Sequence, residues 1–517
     1  MIPIGRRILL AGLAASPIAA SATRSPSSPV ARTRYGRIRG TIEKNVFVFR
    51  GVRYGADTAT TRFHRAAPPI AWQGITDATR YGPAAPQTRA SEPTSEDCLF
   101  LNIWTPALDA GKRPVMVYLH GGGHAHGSGS DPLYDGGNLV RRGDVVVVTL
   151  NHRLAAMGYA YLAQLGGPAE SGNVGNLDII LALQWVRDNI ANFGGNPDRV
   201  MIFGQSGGGA KVVTLMAMPE ARPLFHAAAT MSGQHVTAAG PMHATARAKA
   251  WMEKAGAPDI ATLMQLPIDG LVEAMAMTDP LEGKGEISFT STLDHGVLPR
   301  HPFVPDAPRE AAHIPLIVGN THDETALWIE KSLRAGDTNW DNLPERLARE
   351  TVKDLAPDYV IRRYRELYPG RTPGQILLAA STAGRSWPGH LIQAEERARI
   401  GAPTWMYQLD FPCPEAGGIL GAFHTLDIPL VFDNVDAQGS RIGVSPEARR
   451  LAGQMADAFI ALARTGDPNC RSIPQWPQFT LDQRPTMIFD RTVRIENDPR
   501  REERLLFAVA PYIKPGG

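Results

Sequence analysis

The stretch Val200–Val213, VMIFGQSGGGAKVV, runs an apolar, strand-like segment into a cluster of glycines and out into a helical pattern. Two chemistries share that outline. Gly204 and Gly209 have the glycine spacing of a phosphate-cradling P-loop, in which a lysine and a following hydroxyl residue hold nucleotide and metal. Here the lysine falls one place late, at Lys211, and Val212 stands where a Ser or Thr is required. The same residues spell Gly204-Gln205-Ser206-Gly207-Gly208, the G-x-S-x-G of a nucleophile elbow, in which a serine sits at a sharp strand-to-helix turn. Glycines flank such a serine because the turn strains its backbone and side chains two places away would collide. The helix behind Ser206 would offer N–H groups and the positive end of its dipole to a developing oxyanion.

Working outward, three segments read as buried strands: PVMVYLH (114–120), DVVVVTL (144–150) and RVMIFG (199–204), each nearly all apolar and rich in Val or Ile. Between the second and third, NLDIILALQWVRDNIANFGG (176–195) has the spacing of an amphipathic helix with a Gly-Gly stop. Strand, helix, strand, glycine turn and helix make a βαβ arrangement, which predicts an α/β fold with a large, mostly parallel sheet covered on both faces. HIPLIVGN (313–320) and TWMYQLDF (404–411) read as two more strands. The charged stretch between them, about Asp323 to Gly401, reads as a helical insertion, and RRLAGQMADAFIALARTGDPN (449–469) as a late helix. YGRIRGTIEKNVFVFRGVRYG (35–55) predicts a small antiparallel N-terminal sheet, and the residues from 56 through Pro93 read as loop.

Composition sets the class. A chain of 517 residues with 43% hydrophobic and 20% charged residues has material for a large core. Its net charge of +2, without a polybasic run, argues against a nucleic-acid partner. Residues 1–22 place Arg6 and Arg7 before an apolar run that closes on Ala20-Ser21-Ala22, the pattern of a twin-arginine signal peptide; a short N-terminal anchor or an ordinary helix is the alternative. The expectation is an exported protein, periplasmic or secreted, whose mature part, residues 23–517, is a single catalytic domain with no membrane span. Three cysteines, Cys98, Cys413 and Cys470, allow at most one disulfide. No His/Cys/Asp cluster has metal-ligand spacing and no G-x-G-x-x-G follows a strand, so neither metal nor cofactor is expected.

A second glycine cluster, YLHGGGHAHGSG, ends the first strong strand. Acyl transfer needs donors where the tetrahedral oxyanion forms, and a poly-glycine turn lets bare N–H groups approach it. Gly122, Gly123 and Gly207 are the expected oxyanion donors; a flexible surface turn is the alternative for the first two.

EDCLFLNIW, HGGG, VVVVTLNHRLAAMGY, the run from Gly172 to Gly209, LFHAAATMSG and GAFHTLDIPLVF resemble, in that order, the signature blocks of the type-B carboxylesterase family of α/β-hydrolases. The resemblance implies the α/β-hydrolase fold, a small-molecule ester as substrate, and site residues that spacing alone does not pick out. In the family the base lies in a Gly-x-x-His block, which maps onto His424 among fourteen histidines, and the acid lies in a setting that maps onto Glu324. On chemistry alone Asp323 could orient a histidine equally well. Ser232 resembles a serine that supports the triad from behind, with a helix-capping serine as the alternative. The chain also departs from the family. Gln205 stands where many relatives carry Glu, and Thr88 where cholinesterases carry Trp, which argues against a quaternary-ammonium substrate. Cys98 lacks the upstream cysteine that relatives pair with it, so a buried free thiol is expected. His124 and His126 replace the usual aromatic after the glycine loop and read either as a more polar pocket or as solvated loop histidines. A non-catalytic binding protein on the same fold is the competing class, disfavoured because every triad member is present.

Overall fold

Runs of valine and isoleucine with no polar alternation need cover on both faces of their sheet, and the chain provides it. The computed structural model describes residue 1, residues 28–350 and residues 353–512; residues 2–22 of the expected leader lie outside them. Its strands are Val30–Arg32 (β1), Arg37–Arg39 (β2), Thr41–Glu43 (β3), Val46–Arg53 (β4), Ile75–Asp77 (β5), Phe100–Thr105 (β6) and Arg113–Leu119 (β7). They continue with Val146–Leu150 (β8), Gly195–Gln205 (β9), Ala227–Met231 (β10), Leu316–Thr321 (β11), Thr404–Leu409 (β12), Pro485–Phe489 (β13) and Arg494–Asn497 (β14). Eleven of them form one sheet in the order β14-β13-β12-β11-β10-β9-β7-β8-β6-β4-β3. The segment from β13 through β8 is parallel throughout, and the flanking strands pair antiparallel.

Alternation along each strand splits the core in two. Met116, Tyr118, Met201 and Phe203 face one apolar cluster, where the helix Pro446–Thr465 packs. Val115, Val117, Val200 and Ile202 face the other, covered by the helix Val174–Asn189. That second helix is more deeply buried than an amphipathic pattern suggests: only a narrow stripe at Leu181, Gln184, Arg187 and Asp188 escapes burial. It therefore carries a buried acid, Asp178, whose carboxylate accepts from Arg153 Nη2 (2.7 Å), Arg153 Nε (2.8 Å) and Arg153 N (3.0 Å). Removing one member of a buried pair strands the other charge. Asp178→Ala is expected to cost about 3–5 kcal/mol of stability, read from a urea titration of the folded signal.

Two expectations at the N-terminus need correction. The small sheet is mixed: β1 pairs antiparallel with β2, but β2 pairs parallel with β5, which comes from the stretch read as loop. The apolar VFVFRGVR segment, β4, leaves that sheet and joins the large one beside β6, because its buried Val46, Val48, Phe49 and Val52 need the main core. Between β11 and β12 the insertion is helical, with helices Glu330–Ala335, Leu343–Glu350, Pro357–Leu367, Pro373–Ser381 and Trp387–Arg399 and, among the described residues, no strand. No helix of the described residues is long and apolar enough to cross a membrane.

Candidate active site

In a parallel sheet the loops after the strands gather at one edge, where α/β proteins place their sites. The glycine loop follows β7, Ser206 follows β9, Ser232 follows β10 and Glu324 follows β11. His424 lies on the loop after β12, and a parallel bridge between Asp323 and Phe423 sets that loop beside the acid. Ser206 sits between the strand and the helix Gly207–Met216 with φ 57° and ψ −122°, a conformation that non-glycine residues rarely adopt. Its N–H donates to Met231 O (2.8 Å), which ties the turn to β10. The turn leaves no room for side chains around it: a Cβ on Gly208 would overlap the Leu119 carbonyl, and one on Gly204 would meet Gly208.

Glu324 is fully buried and acts as a three-way acceptor. Its Oε2 lies 2.5 Å from His424 Nδ1, while Oε1 accepts from Ser232 Oγ (2.6 Å) and Thr321 N (2.9 Å). Burial raises a carboxyl's proton affinity, but the His424 imidazole and the hydrogen bonds outweigh it and hold Glu324 below the usual carboxylate range. A carboxylate only accepts, so Nδ1 of His424 donates to it, and in the neutral ring Nε2 then presents a lone pair. That lone pair faces Gln205 Nε2 at 3.3 Å, one residue before Ser206; among the described residues no hydrogen bond joins Ser206 Oγ to the ring. Catalytic hydrogen bonds are commonly loose before substrate arrives. Asp323 turns the other way, accepting from Ala422 N (3.0 Å) and contacting His322 Nδ1 (3.0 Å). Ser232 has φ 53° and no helix follows it until Pro241, so its hydroxyl serves Glu324 and caps nothing.

The glycine loop is built by fixing its carbonyls. Gly121 O lies 2.9 Å from His120 Nδ1, Gly122 O accepts from Ala125 N (3.2 Å) and His126 N (3.0 Å), and Gly123 O accepts from Lys211 Nζ (2.8 Å). In a trans peptide the N–H points opposite its carbonyl, so holding Gly121 O and Gly122 O aims the N–H groups of Gly122 and Gly123 away from those anchors. Gly122 and Gly123 have φ of 85° and 65° and are exposed, and among the described residues neither N–H donates to another group.

Comparison with known proteins fits this geometry. The profile of the carboxylesterase family matches residues 27–507. The chain belongs to that family. It is 33% identical over 495 residues to the para-nitrobenzyl esterase of Bacillus subtilis (strain 168), covering 92% of this chain and 97% of that protein. It is 32% identical over 501 residues to the phenmedipham hydrolase of Pseudarthrobacter oxydans, covering 92% and 98%. The crystal structure of the Geobacillus stearothermophilus carboxylesterase EST55 superposes with a TM-score of 0.82 at 37% identity, covering 92% of this chain and 99% of that one. The protein is therefore a carboxylic ester hydrolase of the α/β-hydrolase fold.

Within this carboxylesterase the loop histidines differ from the solvated reading. His124 is 4% exposed, with its ring edge-on to Tyr159 at 4.7 Å and 5.4 Å from His235. His126 is half-buried, and burial lowers its pKa. Cys98 is a buried free thiol, and burial raises its pKa. One neighbour of the site went unread in the sequence: Trp328, four residues past Glu324, lies 5.4 Å ring to ring from His424 yet is 48% exposed. A large aromatic close behind the acid was the available signal.

Proposed function

We propose that the protein hydrolyses small carboxylic esters through Ser206, His424 and Glu324. His424 Nε2 takes the Ser206 proton as Oγ attacks the ester carbonyl, and Glu324 holds Nδ1–H and offsets the imidazolium charge. The N–H groups of Gly122, Gly123 and Gly207 receive the oxyanion. His424 then protonates the departing alcohol, and water, deprotonated by the same nitrogen, releases the acid from the acyl-enzyme. The observation that carries this reading is the buried Glu324–His424 hydrogen bond, at the sheet edge that also holds the strained Ser206 and the Gly122 and Gly123 N–H groups, unpaired among the described residues. Two relatives named for para-nitrobenzyl and phenmedipham hydrolysis make esters with an aromatic part the first substrates to assay. A fluorophosphonate is expected to inactivate the enzyme with one phosphonyl group per chain, carried by the peptide containing Ser206. Label on another residue, or full activity after labelling, would remove the assignment.

A further inference from the structure

Lys211 has no part in the chemistry above, yet it is fully buried directly behind it. It is the fifth residue of the helix Gly207–Met216, and Nζ reaches back to the carbonyl of Gly123 at 2.8 Å. We propose that Lys211 is a positioning residue: by gripping the Gly123 carbonyl it docks the glycine loop onto the helix that begins at Ser206, and so sets the spacing of the oxyanion donors. This rests on the esterase reading given above.

Four observations carry it. First, Gly122 and Gly123 both lie at positive φ with no side chains to pack, so the loop has little stiffness of its own. Second, its carbonyls are held by His120 on one side, by its own next turn in the middle, and by Lys211 on the other, so among the described residues Lys211 alone ties it to the nucleophile helix by a side chain. Third, loop and helix are as close as backbone allows: a Cβ on Gly207 would overlap the Gly123 carbonyl, so the side-chain-free residue at that position and the lysine one turn on act on the same oxygen. Fourth, the lysine is expensive to keep. Burial draws its pKa down to about 7, with no carboxylate beside it among the described residues, and its neighbours His120 and His152, whose rings stack on each other at 4.8 Å, offer no counter-charge. An apolar side chain of the same shape would fill the space at lower cost.

The test uses Lys211→Met, which keeps the shape and removes the donor, and Lys211→Gln, a shorter uncharged donor. In Lys211→Met, kcat for p-nitrophenyl acetate is expected to fall about 10²-fold, with the Ki of a trifluoromethyl ketone rising by a similar factor, because its hemiketal oxyanion occupies the same donors. KM is expected to stay within about threefold and the melting temperature to hold or rise. Lys211→Gln recovers part of kcat. Wild-type kcat in Lys211→Met, a fall in kcat without a change in Ki, or loss of the fold in both variants would each overturn the proposal. None of these results touches the esterase reading, which stands or falls on labelling of Ser206 in the wild-type chain.

Discussion

Ser206→Ala is expected to lower kcat for p-nitrophenyl esters by about 10⁶-fold, the scale seen when a triad nucleophile is deleted. The loss is large because, among the described residues, the group hydrogen-bonded to His424 Nε2 is the Gln205 carboxamide, which cannot attack a carbonyl, and the Ser232 hydroxyl is committed to Glu324. Residual turnover comes from the glycine N–H donors acting on water attack, worth about 10³–10⁴ over the uncatalysed rate. Stability is expected to stay within about 0.5 kcal/mol, since alanine tolerates the strained φ of 57° as serine does and the hydroxyl has no hydrogen-bond partner among the described residues. Steady-state kinetics with an active-site titration and a melting curve check both halves. An alanine variant with more than about 1% of wild-type kcat would move the nucleophile elsewhere.

Much of this site was legible in the chain because it is built from local signals. The strand before Ser206 and the helix after it are written in Val200–Val213, and the glycines at 204 and 208 match contacts that a Cβ would violate. The P-loop alternative fails at Lys211, whose Nζ turns inward to the Gly123 carbonyl. What was not legible is long-range or compositional. The Glu324–His424 bond spans 100 residues, and no local pattern singles out one histidine of fourteen; the family resemblance supplied it. β10 is alanine-rich, AAATM, and so lacks the β-branched signature, yet sits mid-sheet with all five residues buried. β5 is three exposed residues that form a strand by pairing with the neighbouring β2. The two readings of His124, polar pocket or solvated loop, could not be separated locally, because the groups that bury it, Tyr159 and His235, lie 35 and more residues away in the chain.

The acid is the position where local chemistry and geometry part most sharply, and Glu324→Gln is expected to reduce kcat by about 10⁴-fold. All three partners of this carboxylate are donors: His424 Nδ1–H, Ser232 Oγ–H and Thr321 N–H. An amide has one accepting oxygen and one donating nitrogen, so it satisfies only one side. If the nitrogen faces His424, the ring must shift its proton to Nε2 and loses the lone pair that takes the Ser206 proton. If it faces Ser232 and Thr321, two buried donors lose their acceptor. Asp323→Asn makes the control. Its carboxylate serves Ala422 N and His322, so the amide oxygen still holds the histidine loop, and kcat is expected to change less than about tenfold. Measuring kcat/KM for both variants with one ester, beside the wild type, separates the two carboxylates. A larger loss in Asp323→Asn than in Glu324→Gln would hand the orienting role to Asp323 and require His424 to swing toward it in the working enzyme.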